Sequence, residues 1–316
     1  MFVDEKHFRR TRRWLAAALK LLIVAVIVWY IRRTIVDAWE QLGEHPWRFD
    51  VRWLALSCGL YLLAMLQCGI FWYRTLRALG QPVSLGQTLR TYYIGHLGKY
   101  VPGKAMVVIL RVGLLRREGV DTALVAVSVF LETLTMMSTG AFLAAAIVAV
   151  WLHEQAHLWW LICGAVAMMM AAGVPTLPPV FRRLVWLAGV HKISPVAKEK
   201  LANLSYGVMF SGWAFTGLGW AILALSYWAA LRSLGAGSAN PFEQFHLYMA
   251  GVTLSTVAGF VSFVPGGAVV REAVLTEVMA PCLGGPLSLV AAVLSRLAYV
   301  VSDVVISGIL YFASRR

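Results

Sequence analysis

Glu132, Arg296 and Asp303 each stand inside a long apolar stretch of the sequence. An ionisable side chain at the centre of a membrane helix costs at least ~2.5–3.5 kcal/mol, so such residues pair with one another or line a polar path. Glu132, Thr135 and Thr139 follow i, i+3, i+7 spacing, and so do Arg296, Tyr299 and Asp303. At helical periodicity each set shares one face. The expectation is two polar stripes that face each other, with Glu132 paired to Arg296 so that two buried charges cancel. Such a pair acts either as a static ion pair or as a gate or head-group contact. Glu132 and Asp303 are also candidate proton sites.

A second group of charges surrounds two breaks. Lys99, Lys104 and Arg111 flank Val101-Pro102-Gly103, while Arg271 and Glu272 follow Val264-Pro265-Gly266-Gly267. Proline removes a backbone donor and stops a helix, and glycine permits the turn. A helix that restarts after such a break directs free N–H groups and its positive dipole end at whatever lies before it. With Lys104 or Arg271 nearby, that chemistry suits a phosphate. The bland alternative is a cation reaching for the membrane interface, which is the preferred reading for Arg116 and Arg117.

The elements that must position these groups are membrane helices. Of the 316 residues, 60% are hydrophobic and 14% charged, against about 25% charged in soluble proteins. A helix needs about 20 apolar residues to cross a bilayer. Residues 14–31, 53–73, 122–152, 158–174, 206–231 and 286–312 qualify, giving six full spans. Residues 122–152 are too long for one upright helix, so tilt or a preceding half-helix must absorb the excess.

The segments 88–119 and 251–280 are apolar but broken in the middle. Broken backbone at membrane depth survives only where protein buries it or a wet cavity receives it. Two re-entrant helical hairpins are therefore expected, the first before an outward helix and the second before an inward one. That makes an inverted repeat, about 53–152 and 206–313, with a site at the repeat interface.

The formal net charge is +13. Its location argues against nucleic acid: Lys and Arg gather in residues 1–13, 74–120, 175–205 and at the C-terminus. These fall on one side if both termini are cytoplasmic, and that face would attract anionic head groups. The four cysteines, Cys58, Cys68, Cys163 and Cys282, form no close-spaced pair, so neither a disulfide framework nor a zinc cluster is read from them. His153-Glu154-Gln155-Ala156-His157 is a formal H-E-x-x-H match, which on a helix would bind zinc for hydrolysis. Its place in a short outer turn among tryptophans favours an interfacial role instead.

The run Gly98-Lys99-Tyr100-Val101-Pro102-Gly103-Lys104, then Arg111 and Arg116-Arg117-Glu118-Gly119, resembles the lysylphosphatidylglycerol synthase transmembrane (flippase-like) family. Phe263-Val264-Pro265-Gly266-Gly267 with Arg271-Glu272 looks like that family's P-G-G-x-G-x-R-E element, and Arg296 also fits. Two departures stand out. Thr133 follows Glu132 where the family often has arginine, and the later glycine of the second element is missing.

The resemblance implies an all-α polytopic protein of the bacterial cytoplasmic membrane. It implies a lipid translocase that moves a phospholipid or other anionic or modified lipid between leaflets. No cofactor and no enzymatic step are expected, since no aminoacyl-transferase domain accompanies the membrane part. Expected partners are membrane lipids with phosphate head groups, a second copy of the chain, or a lipid-modifying enzyme. A non-transporting scaffold is the alternative.

Overall fold

The computed structural model describes residues 49–101, 105–116, 119–152, 159–189, 197–262, 264, 267 and 269–313. The expected first span, the tip residues Pro102, Gly103, Lys104, Pro265 and Gly266, and the His153–His157 motif lie outside them. The described part is helical, with no strand among the described residues. We label its helices α1 (Val51–Ala78), α2 (Leu85–His96), α3 (Ala105–Leu115), α4 (Thr122–Leu152), α5 (Trp159–Gly173), α6 (Pro178–Leu187), α7 (Ala197–Ala202), α8 (Tyr206–Ser233), α9 (Phe245–Val261), α10 (Val270–Leu283) and α11 (Gly285–Ala313).

Among the described residues, α1, α4, α8 and α11 are long and apolar enough to cross a membrane. The chain is thus an all-α, multi-pass membrane protein. Helix α4 has 31 residues and runs unbroken for about 46 Å at 1.5 Å per residue. Tilt or projection must absorb its excess over a core of about 30 Å. The stretch expected as a span over 158–174 is a 15-residue helix, α5, closed by a 3₁₀ turn at Val174–Thr176 that contains Pro175. Large apolar residues such as Phe130 on α4, Phe210 on α8 and Val304 on α11 stay exposed, the pattern of a lipid-facing surface.

Local chemistry sets the helix ends. Asp50 caps α1 by accepting the Arg52 N–H at 2.9 Å, and its own N–H donates to the Ser233 carbonyl at 2.9 Å, which ties the start of α1 to the end of α8. Ser84 and Gln87 form a capping box on α2, satisfying two orphan donors reciprocally. Ser205 caps α8.

Helices α1 and α8 pack antiparallel along their length. Within lipid, apolar surface drives little helix association, so small residues and interhelical hydrogen bonds carry it. Ser57 Oγ donates to the Ser226 carbonyl at 2.8 Å, and Ser226 Oγ donates to the Ser57 carbonyl at 2.8 Å. Midway, a Cβ on Gly219 would lie 3.2 Å from the Ala64 carbonyl oxygen; further along, one on Gly212 would lie 2.5 Å from the Phe71 ring. The backbones approach closely because those side chains are absent.

The two segments expected to be broken are helix–break–helix units. Helices α2 and α3 pack together on either side of the first break, and α9 and α10 on either side of the second. Each long–short–short–long quartet repeats the order of the other: α1 to α4, then α8 to α11. Helix α2 packs on α11 of the other quartet, and α9 packs on α4.

Candidate functional site

The short helices and the turn after α2 meet the long helices through charged side chains in three clusters. In the first, Arg111 on α3 meets Glu132 on α4 at 2.9 Å, with 1% and 3% of their side chains exposed. Tyr92 on α2 donates its hydroxyl to Glu132 Oε1 at 3.2 Å. The guanidinium lies 4.1 Å from the Tyr92 ring centroid and 4.8 Å from that of Trp72. Two ring faces and one carboxylate thus enclose the cation. The backbone must come close for this to happen, since a Cβ on Gly95 would lie 2.5 Å from Arg111 Cγ.

In the second cluster, Arg296 on α11 meets Glu272 on α10 at 2.8 Å. Neighbouring Arg271 donates to Thr256 Oγ1 on α9 at 2.8 Å. Here too a glycine makes room: a Cβ on Gly259 would lie 2.3 Å from Arg271 Cγ. Gly267 adopts φ +65° and faces the same side chain.

Helix α10 starts from Val269 at φ 71°, the one positive-φ residue other than glycine among the described residues. This is the position where the family-like element carries its later glycine. With ψ at −47° the residue lies near the γ-turn region, which is rare and strained, and a β-branched residue at positive φ is a genuine outlier. The local fold holds Val269 in the conformation that glycine would adopt freely.

In the third cluster, Lys99 at the end of the first break's helical turn meets Asp303 on α11 at 2.7 Å. Asp303 also accepts from Tyr61 at 2.9 Å and from Tyr100 at 2.7 Å. Lys99 in turn donates to Tyr61 Oη at 3.0 Å. Tyr61 stacks on Tyr299 with centroids 4.3 Å apart.

The second and third clusters share one small cleft with a cavity volume of about 40 Å³; the first does not line it. Lys99, Tyr61, Tyr227, Arg271, Glu272 and Arg296 are among its walls, with Val252, Leu275 and Ala292 as apolar lining. The described charges around it are Lys99, Arg271 and Arg296 against Glu272 and Asp303, a net of +1. A cleft between membrane helices with a surplus of positive charge can hold an anion, because charges that are partly withdrawn from water act more strongly there.

The expected Glu132–Arg296 pair does not form. Each cation takes the carboxylate within reach of its own hairpin: α3 delivers Arg111 to Glu132, and α10 delivers Glu272 to Arg296. Nor do the two polar stripes face each other. Thr139 accepts from Thr216 on α8 at 2.9 Å, while Tyr299 and Asp303 meet Tyr61 on α1.

Of the expected site residues, the structure brings Lys99, Arg271, Glu272, Arg296 and Asp303 around one cleft, with Gly267 against Arg271. It puts Arg111 and Glu132 in a separate buried pair. Sequence reasoning missed Tyr61, Tyr92, Tyr100, Tyr227, Trp72 and Thr256. A tyrosine inside an apolar span was the available signal, since a buried hydroxyl needs a partner.

A family model described as the lysylphosphatidylglycerol synthase TM region matches residues 17–307. No curated protein matches the chain.

Proposed function

Because the chain belongs to the lysylphosphatidylglycerol synthase transmembrane region family, we propose that it is a lipid translocase, a flippase or scramblase that moves an anionic or modified phospholipid between leaflets without covalent change. It acts in a bacterial cytoplasmic membrane with both termini cytoplasmic, the orientation that its basic segments favour. The observation that carries this reading is the charged cleft: Lys99, Arg271, Glu272 and Arg296 line one cavity among membrane helices, with Asp303 paired to Lys99 behind it. Each costs at least ~2.5–3.5 kcal/mol to insert, and a scaffold gains nothing from that cost.

The reading includes an inverted repeat, α1–α4 and α8–α11, with α2–α3 and α9–α10 as re-entrant hairpins. Pairs of contacts support it. One register step along the sequence carries Ser57 onto Gly212, Ala64 onto Gly219 and Phe71 onto Ser226. The Ser57–Ser226 contact then maps onto Gly212–Phe71, and Ala64–Gly219 maps onto itself, as a two-fold axis between those two residues requires. A second step carries Thr139 onto Asp303, so Tyr61–Asp303 maps onto Thr216–Thr139. It also carries Gly95 onto Gly259, and each of these glycines faces an arginine of its own hairpin. A two-fold in the membrane plane is the arrangement on which alternating access of secondary transporters rests.

The test is leaflet exchange of fluorescent phospholipids in proteoliposomes, comparing the protein with Arg271→Ala. Exchange that is lost in a folded variant supports the reading. No exchange of any anionic, zwitterionic or polyprenyl lipid overturns it in favour of a scaffold.

A further inference from the structure

Arg111 and Arg271 are not carried onto each other by the step, but each faces the equivalent glycine of its own segment, Gly95 or Gly259, and their surroundings differ in a specific way. The step that carries Gly95 onto Gly259 also carries Tyr92 onto Thr256 and Glu132 onto Arg296. The step along α1 and α8 carries Trp72 onto Tyr227. Around Arg111, a carboxylate and two large rings close the space. Around Arg271, a threonine stands for the tyrosine, a tyrosine for the tryptophan and an arginine for the glutamate, and the space is the cleft. The residue after each arginine compensates in part: Val112 follows Arg111, but Glu272 follows Arg271 and pairs with Arg296.

We infer that the Arg111 and Arg271 pockets are equivalent halves of one design, the first sealed and the second open, and that the open one takes a mono-anionic phosphodiester head group bearing neutral hydroxyls. The inference rests on the translocase reading for its biological meaning, but its binding claim stands on the cleft.

Three observations point to that ligand. The net charge of +1 around the cleft is neutralised by one negative charge. A lysyl-bearing head group, with two ammonium groups on one phosphate, adds positive charge and is repelled. The Tyr227 hydroxyl lines the cleft, is fully buried and has no hydrogen-bond partner among the described residues, so a donor is waiting for a phosphate oxygen. Glu272 Oε2 is likewise buried and unpartnered, an acceptor suited to a head-group hydroxyl. The Tyr299 hydroxyl is a third such group in the lining, a second donor beside Tyr227; buried polar atoms are ordinarily satisfied.

The sealed half prescribes the test. Glu272→Val with Arg296→Glu copies its charge layout into the open half, giving Arg271 a carboxylate and removing the surplus cation. Thr256→Tyr copies its ring and fills the space without changing charge. Purified protein in neutral detergent is titrated with phosphatidylglycerol, phosphatidylcholine and lysyl-phosphatidylglycerol, and bound lipid is counted by native mass spectrometry. Glycerol 1-phosphate is added as competitor, and thermal unfolding monitors the fold.

The expected result is phosphatidylglycerol retained at least about tenfold more tightly than the other two lipids. A folded double variant and a folded Thr256→Tyr variant each weaken it by about tenfold or more, the scale of a charge-assisted hydrogen bond. Equal binding of lysyl-phosphatidylglycerol overturns the inference, as does unchanged phosphatidylglycerol binding in either folded variant. Displacement by glycerol 1-phosphate at concentrations equal to the lipid's would make the ligand a soluble phosphate and overturn the lipid assignment.

Leaflet exchange on the same samples separates the two claims. Exchange that persists when binding is lost rejects this pocket and keeps the translocase. Binding without exchange in the unmodified protein rejects the translocase and keeps the pocket.

Discussion

Glu132→Gln isolates the sealed pair. Arg111 is 1% exposed and Glu132 3%, so solvent screens neither charge. Removing one partner of a buried ion pair strands the other, at about 3–5 kcal/mol. Two features place this case near the lower end. The guanidinium keeps the faces of Tyr92 and Trp72, at 4.1 and 4.8 Å, and a desolvated cation–π contact is worth about 2 kcal/mol. Glutamine also keeps an acceptor for Tyr92. The expected loss is thus about 3 kcal/mol. The double variant Arg111→Met, Glu132→Gln removes the stranded charge, and its loss is smaller than that of the single variant, because apolar replacement of a buried pair is often close to neutral. Equilibrium unfolding in mixed micelles over the full double-mutant cycle reads the coupling directly. Phosphatidylglycerol retention stays within twofold of the unmodified protein in the folded double variant. A Glu132→Gln loss below about 0.5 kcal/mol would refute the argument, and so would a double variant that is less stable than the single.

The other expectations follow the same geometry. Val269→Gly relieves a valine held at positive φ and raises stability by about 1 kcal/mol, the strain released less the added freedom of the unfolded chain; a lower unfolding midpoint would mean that the turn depends on the valine side chain. Gly259→Ala puts a Cβ 2.3 Å from Arg271 Cγ, so it displaces that side chain and lowers phosphatidylglycerol retention in the mass-spectrometric titration, whereas Gly95→Ala, crowding Arg111 at 2.5 Å, lowers stability and spares retention in the molecules that fold. Lys99→Met leaves the Asp303 carboxylate with only its Tyr61 and Tyr100 donors and costs about 3–5 kcal/mol in the same unfolding assay, while Lys99→Arg restores most of it.

Fold class and polar faces were legible because each rests on one-dimensional physics. Span length is a count of apolar residues, and the i, i+3, i+7 stripes on α4 and α11 need only helical periodicity. The breaks were legible because proline and glycine act where they stand. Partner choice was not. The stripe containing Glu132 and the one containing Arg296 look complementary in sequence, but pairing depends on which helix lies within about 3 Å. That is set by the short helices α3 and α10, which bring Arg111 and Glu272 in from the side. The tyrosines escaped because a hydroxyl among apolar residues reads as packing until a carboxylate is seen beside it, as Asp303 is beside Tyr61 and Tyr100. The missing glycine in the second element raised a doubt that the backbone answers: Val269 takes the glycine conformation.

The contrast between the two arginine pockets bears on why charge is kept in the membrane at all. If the buried charges served only to fix helix register, the sealed arrangement would suffice in both halves, since Glu132 and two rings satisfy Arg111 with nothing left over except a side-chain nitrogen. The second half instead holds two guanidiniums against one carboxylate, in an open cleft, with the Tyr227 and Tyr299 hydroxyls and a Glu272 oxygen unpaired among the described residues. Each of those features lowers stability, and in the same fold a sealed solution stands at the equivalent position. A site that carries surplus charge and orphaned hydrogen-bonding groups beside its own satisfied twin is what the proposed ligand would complete. Between membrane helices, in a cleft with apolar walls, an amphipathic anion fits both the polar and the apolar parts of the lining.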